Sequence, residues 1–160
     1  MLADFTSETR ESNVRGLADN PMLPEVWKRR GIEDVCIFTN NCRGYNSKKQ
    51  SVQEDVVDAL QPDVINLEET LLRNKAKINI KDYVSFSQNR VDGGGGGGIS
   101  ASVAAHLKQF VTLVSQDTHH DEYMVTRLDH VKPALNIVHI YGQNEGRAGQ
   151  AKILAGWTKI

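Results

Sequence analysis

The sequence predicts a mixed-sheet α/β protein. Three observations carry the prediction: one strand–helix–strand crossover early in the chain, a succession of short apolar runs after it, and little helical pattern in that second part. A doubly wound fold would alternate strand and helix throughout, so the pattern argues against one. At 160 residues the chain suits one domain with a real core. With 19 basic against 20 acidic residues and 39% hydrophobic content, it is neither a disordered chain nor a wholesale basic nucleic-acid binder.

Residues 1–33 are polar and irregular, broken at Asn20-Pro21 and Leu23-Pro24, and read as a lead segment to a domain over 34–160. Val35-Cys36-Ile37-Phe38 suits a strand buried on both faces, ending in the loop Asn40-Asn41-Cys42-Arg43-Gly44. A helix follows from about Ser51 to Leu60, with Ser51 and Glu54 spaced as a capping box and Val52, Val56, Val57 and Leu60 on one stripe. Gln61-Pro62 ends it, and Val64-Ile65-Asn66-Leu67 is the second strand. Residues 35–67 thus have the length of a right-handed parallel crossover, which brings both strand ends to the same sheet edge. That edge carries Asn41 and the pair Glu68-Glu69, where open α/β sheets place their ligands.

Further strands are expected at Tyr83 to Ser87, Ile99 to Ala104, Val111 to Ser115 (the weakest), Tyr123 to Leu128, and Leu135 to Tyr141 (the strongest). Residues 149–160 begin a helix with Ile153, Leu154 and Trp157 at helical spacing, and the chain stops mid-pattern. The run Gly93 to Gly98 is either a flexible turn or backbone that approaches another group closely, and the absence of a following Lys-Ser/Thr excludes a phosphate loop. Cys36 and Cys42 match no zinc or redox spacing and read as reduced thiols. With no signal pattern and no membrane-length apolar stretch the chain reads as intracellular, and Lys28-Arg29-Arg30 is too short to assign a nuclear address. His119-His120-Asp121-Glu122 reads as a solvated loop, because neighbours on extended chain point to opposite sides and cannot share one ion. His106 and His130 are isolated, and His139, inside an apolar strand, reads as a core histidine.

Four blocks remain: Asn41-Cys42-Arg43-Gly44-Tyr45-Asn46-Ser47, Pro62-Asp63-Val64-Ile65-Asn66-Leu67-Glu68-Glu69-Thr70, Arg90 with the glycine run, and Ile140-Tyr141-Gly142-Gln143-Asn144-Glu145-Gly146-Arg147. In this order they resemble the endonuclease/exonuclease/phosphatase superfamily, the group built like deoxyribonuclease I and the apurinic-site repair nucleases. The first block is most similar to the Asn-x-Arg-Gly form found in the endonuclease domains of non-LTR (LINE-type) retrotransposons. The resemblance covers Val35 to Ile160 and implies a four-layer α/β/β/α sandwich, of which this chain would be the N-terminal part, truncated at its C-terminus.

Carried over residue by residue, the resemblance makes Glu69 the metal-binding carboxylate and Asn41 the amide that orients metal or phosphate. Tyr141 and Asn144 would stand near the scissile phosphate. Mg²⁺, with Mn²⁺ as the alternative, is the implied cofactor, and a hard cation that keeps several waters needs only one or two such oxygen ligands beside a substrate phosphate. The chain departs from the family at Gln143, where proline is common, and at Glu68, where glutamine is usual. Arg90 acquires no role.

The family's later motifs, which place and activate the attacking water, have no counterpart after Tyr141. The implied activity is therefore Mg²⁺-dependent hydrolysis of DNA phosphodiesters, incomplete in this chain. The alternative is a non-catalytic remnant with weak metal or nucleic-acid binding. Arg43, Lys48, Lys49 and Arg73, with Lys75, Lys77 and Lys81, flank the same edge and are either phosphate contacts or a solvated charged surface. The expected partners are DNA and, for a sheet left uncovered by truncation, the missing half of the domain or a second copy.

Overall fold

The computed structural model describes residues 34–89, 97–116 and 122–141. The lead segment, Arg90, Gly93 to Gly96, His119 to Asp121, Asn144 and the helix expected over 149–160 lie outside the described residues. Two sheets form. The first contains β1 (Ile37–Asn41), β2 (Val64–Glu68), β3 (Tyr83–Gln88) and β4 (Ile99–Ala104) in the order β1-β2-β4-β3, and the second contains β5 (Val111–Gln116), β6 (Glu122–Leu128) and β7 (Leu135–Tyr141) in sequence order. β1 and β2 are parallel, with Asn41 opposite Glu68, and the other pairs are antiparallel. The mixed sheet, the crossover and every expected strand are present.

The period-two alternation of β2 explains the layering. Ile65 and Leu67 point to one side, where they bury Val52, Val56, Val57, Tyr45 and the loop residues Leu72, Ile78 and Ile80. Val64, on the opposite face, joins Val103, Leu107, Leu128 and Ile137 between the sheets, and Ile99, Ala101 and Met124 extend that seam. Where β3 and β4 face the helical side, serines replace aliphatic residues: the hydroxyls of Ser85 and Ser102 lie 2.7 Å apart, and Ser100 donates to the Phe86 carbonyl. Helix, sheet and second sheet make three of the four layers the resemblance implies.

Two expectations change. The helix does not begin at Ser51: α1 (Tyr45–Ser51) starts directly after Gly44 and continues as a π-helical segment over Val52–Asp58. Gly44, at φ 109°, makes the entry turn that a residue with a side chain would resist. Ser51 then lies mid-helix and its hydroxyl bonds Asp55, so the capping box does not form, and Leu60, past the π-helical segment, is 51% exposed. β1 is not buried on both faces, because it pairs only with β2 among the described strands and the second sheet packs over β4, leaving Ile37 42% exposed. β5–β7 cover Ile99, Ala101 and Val103 of the first sheet.

His139 is buried between the sheets, as expected, with Nε2 3.0 Å from the Thr126 hydroxyl. Burial lowers its pKa from 6.5 to about 4, and burial also lowers that of His130. The folded state therefore resists protons that the unfolded chain accepts, so stability is full above pH 6.5 and declines as pH falls towards 4. The His139 contribution alone amounts to roughly 3 kcal/mol when fully developed. Urea midpoints measured from pH 7.5 to 4.5 should fall across this window and flatten in His139→Gln; a flat wild-type profile would contradict the assignment.

Candidate active site

The crossover delivers Asn41 and Glu69 to one sheet edge, and backbone hydrogen bonds lock the two strand exits together. Cys42 N–H donates to the Glu68 carbonyl at 3.0 Å, Gly44 N–H to Glu69 at 2.8 Å and Tyr45 N–H to Thr70 at 2.9 Å. The buried Cys42 thiol adds a bond to the Glu68 carbonyl at 3.3 Å, and burial pushes its pKa up, in keeping with an inert reduced thiol. Glu69 itself turns through the left-handed region, φ 49°, which lifts its side chain out of the β2 alternation.

The second sheet completes the constellation. Tyr141, the last residue of β7, donates its hydroxyl to Glu69 Oε1 at 2.6 Å across 72 positions of sequence. Asn41 bonds Glu69 through its side chain while its Oδ1 accepts Arg43 N–H at 3.3 Å. The Tyr141 hydroxyl, then the Asn41 amide, then the Arg43 charge hold the Glu69 carboxyl below the usual carboxylate range. Burial and then the neighbouring Glu69 charge push Glu68 the other way. One carboxylate is thus kept ionised while its neighbour holds a proton more readily.

Of the residues expected at the site, Asn41, Glu69, Tyr141 and Arg43 come together. Lys48 and Lys49 are exposed on α1, and Arg73 is exposed on the loop after β2. One expectation is overturned nearby: Glu122 is not part of a solvated loop but begins β6, 7% exposed, with Oε2 accepting the Gly98 N–H at 2.6 Å. Its Asp-rich, His-rich neighbourhood masked a strand whose alternation starts at that residue.

Among the described residues no three His, Cys, Asp or Glu side chains gather closely enough to cage an ion. The donor set fits a partly hydrated hard cation instead: Glu69 has four lone-pair positions, of which Tyr141 and Asn41 use two, and the Asn41 carbonyl keeps one.

Replacing Tyr141 with phenylalanine removes the largest influence holding the Glu69 carboxyl down. Its titration midpoint, followed by carboxyl ¹³C resonances, should rise towards the ordinary range; an unmoved midpoint would mean the hydroxyl does not bond Glu69 in solution.

No protein-family model matches the sequence, and no curated protein matches it. Solved structures do. An AP endonuclease from Leishmania major superposes with a TM-score of 0.57 at 17% identity, covering 88% of this chain and 53% of that one. The chain has a partial deoxyribonuclease I-like fold. A 3′ phosphatase from Neisseria, solved with product DNA hairpin, gives a TM-score of 0.52 at 12% identity over 76% of this chain and 48% of that one. The chain thus spans about half the length of these deoxyribonuclease I-like structures. No helix among the described residues is long and apolar enough to cross a membrane.

Proposed function

We propose that this chain carries the metal-side residues of a Mg²⁺-dependent DNA phosphodiesterase site of the endonuclease type, related to those of non-LTR retrotransposons. The observation that carries the reading is the hydrogen bond from Tyr141 to Glu69, which joins the ends of two sheets around an ionised carboxylate beside Asn41. Glu69 and the Asn41 carbonyl would hold the cation, with Mn²⁺ as the substitute, and Asn144 belongs to the same proposed site. A bound divalent ion supplies neutralisation of charge developing on the phosphodiester. Arg43, next to the carboxylate and exposed, is placed to meet a phosphate oxygen without reading sequence, and Lys48, Lys49 and Arg73 extend that positive flank. The fold shared with an AP endonuclease and a DNA-bound 3′ phosphatase supports DNA as the substrate.

A second reading is a metal- or nucleic-acid-binding chain without turnover, because nothing in the Glu69, Asn41 and Tyr141 constellation assigns the general base that would activate a water. Nicking of supercoiled plasmid by the purified chain, with Mg²⁺ and with chelator, separates the two. Metal-dependent nicking is the result expected of the phosphodiesterase; Mg²⁺ and DNA binding without nicking would establish the second reading; absence of both would overturn the site.

A further inference from the structure

Glu122 is a buried carboxylate that the proposed chemistry does not use. Carboxylates are seldom buried without strong hydrogen bonds, and this one accepts the Gly98 N–H at 2.6 Å. Gly98 and Gly97 in turn accept, through their carbonyls, the N–H groups of Thr70 and Leu71, each at 3.0 Å. These two residues follow Glu69 directly. In the register of the second sheet, Glu122 stands opposite Tyr141. One rung at the end of that sheet therefore reaches the loop after β2 twice: at the Glu69 carboxylate through Tyr141, and at the next two backbone amides through Glu122 and the carbonyls of Gly98 and Gly97.

We propose that Glu122 is a positioning residue, which through Gly97 and Gly98 clamps the backbone of Thr70 and Leu71 and so holds the Glu69 carboxylate where Tyr141 and a divalent cation meet it. Its functional side rests on the reading of Glu69 as the metal-side carboxylate; the clamp itself stands on the hydrogen bonds. Leucine at 122 preserves bulk but orphans the Gly98 amide, whereas glutamine preserves an acceptor of the same reach.

The full chain carries the test, with Glu122→Leu and Glu122→Gln beside wild type. Amide hydrogen exchange is read at Gly98, Thr70 and Leu71, and Mg²⁺ is titrated while following the amides of residues 68–71. In Glu122→Leu the three amides should exchange about ten- to a hundred-fold faster as a group while the β1–β2 ladder stays protected. Mg²⁺ affinity should drop by about ten- to a hundred-fold, as expected for lost support behind a ligand. Glu122→Gln should restore most of both, which general destabilisation would not produce. A folded Glu122→Leu with wild-type exchange at these amides overturns the proposal. Should Glu122→Leu not fold, wild type and Glu122→Gln decide: the three amides must share a common protection in each, and a spread beyond about ten-fold among them overturns the clamp. If wild type binds no Mg²⁺, the reading of Glu69 falls, and the exchange data alone judge the clamp.

Discussion

On the proposed phosphodiesterase reading, Glu69→Gln should sharply slow Mg²⁺-dependent cleavage while leaving the fold intact. Glutamine keeps the size of the side chain and an oxygen that accepts the Tyr141 hydroxyl, so the geometry that joins the two sheets survives. What disappears is the negative charge that Tyr141, Asn41 and Arg43 together stabilise. A divalent ion at a phosphodiester contributes several kcal/mol of transition-state stabilisation, so losing its anchoring carboxylate corresponds to a fall of roughly 10²–10⁴-fold in rate. Stability should be little affected, because the loop is held through the backbone, by Gly44 N–H on the Glu69 carbonyl and by Gly97 and Gly98 on the two residues that follow. Initial rates of plasmid nicking in saturating Mg²⁺, beside the urea midpoint of each protein, provide the check. Equal rates for the two proteins would place any cleavage outside this site. Matched loss of rate and stability would make Glu69 a structural residue.

The legible part of this fold is the part written in local periodicity. β2 reads as a short, mostly apolar run and β4 as apolar–serine alternation, because each meets a hydrophobic layer or a serine ladder on one side and the second sheet on the other. The parallel crossover was enough to place Asn41 and Glu69 on one edge, since a parallel pair joined by a helix has no other arrangement. What local pattern could not supply was tertiary. The exposure of Ile37 depends on which strand the second sheet covers, and the start of α1 depends on a turn at Gly44 rather than on a capping side chain. Tyr141 meets Glu69 only once β7 has packed against the first sheet, so the ordered blocks of the resemblance pointed to it and periodicity did not. Glu122 was hidden for a related reason: a glutamate after two histidines and an aspartate resembles solvated loop, and its buried oxygen is satisfied by a glycine amide 24 residues earlier.

Gly98→Ala should be among the most damaging single changes in the described residues, and it separates two costs that glycine avoids. Gly98 has φ 88°, a region side chains resist, and an added Cβ would lie 2.5 Å from the Thr70 hydroxyl oxygen. Thr70 is almost fully buried and follows Glu69, so it cannot swing into solvent to make room. Backbone strain and overpacking together should cost about 2–4 kcal/mol, read as a lower urea midpoint with an unchanged slope. Pairing the change with Thr70→Ala removes the overlapping oxygen but leaves the φ penalty. The double variant should therefore recover part of the loss, a non-additivity that two independent sites would not show. Strict additivity would mean that steric overlap with Thr70 is not the cause. Metal-dependent activity should fall further than stability in Gly98→Ala and recover with it in the double variant. Thr70 is the residue directly after Glu69, the proposed metal-side residue, and a misplacement of about an ångström in a catalytic group can cost about 10²-fold in rate.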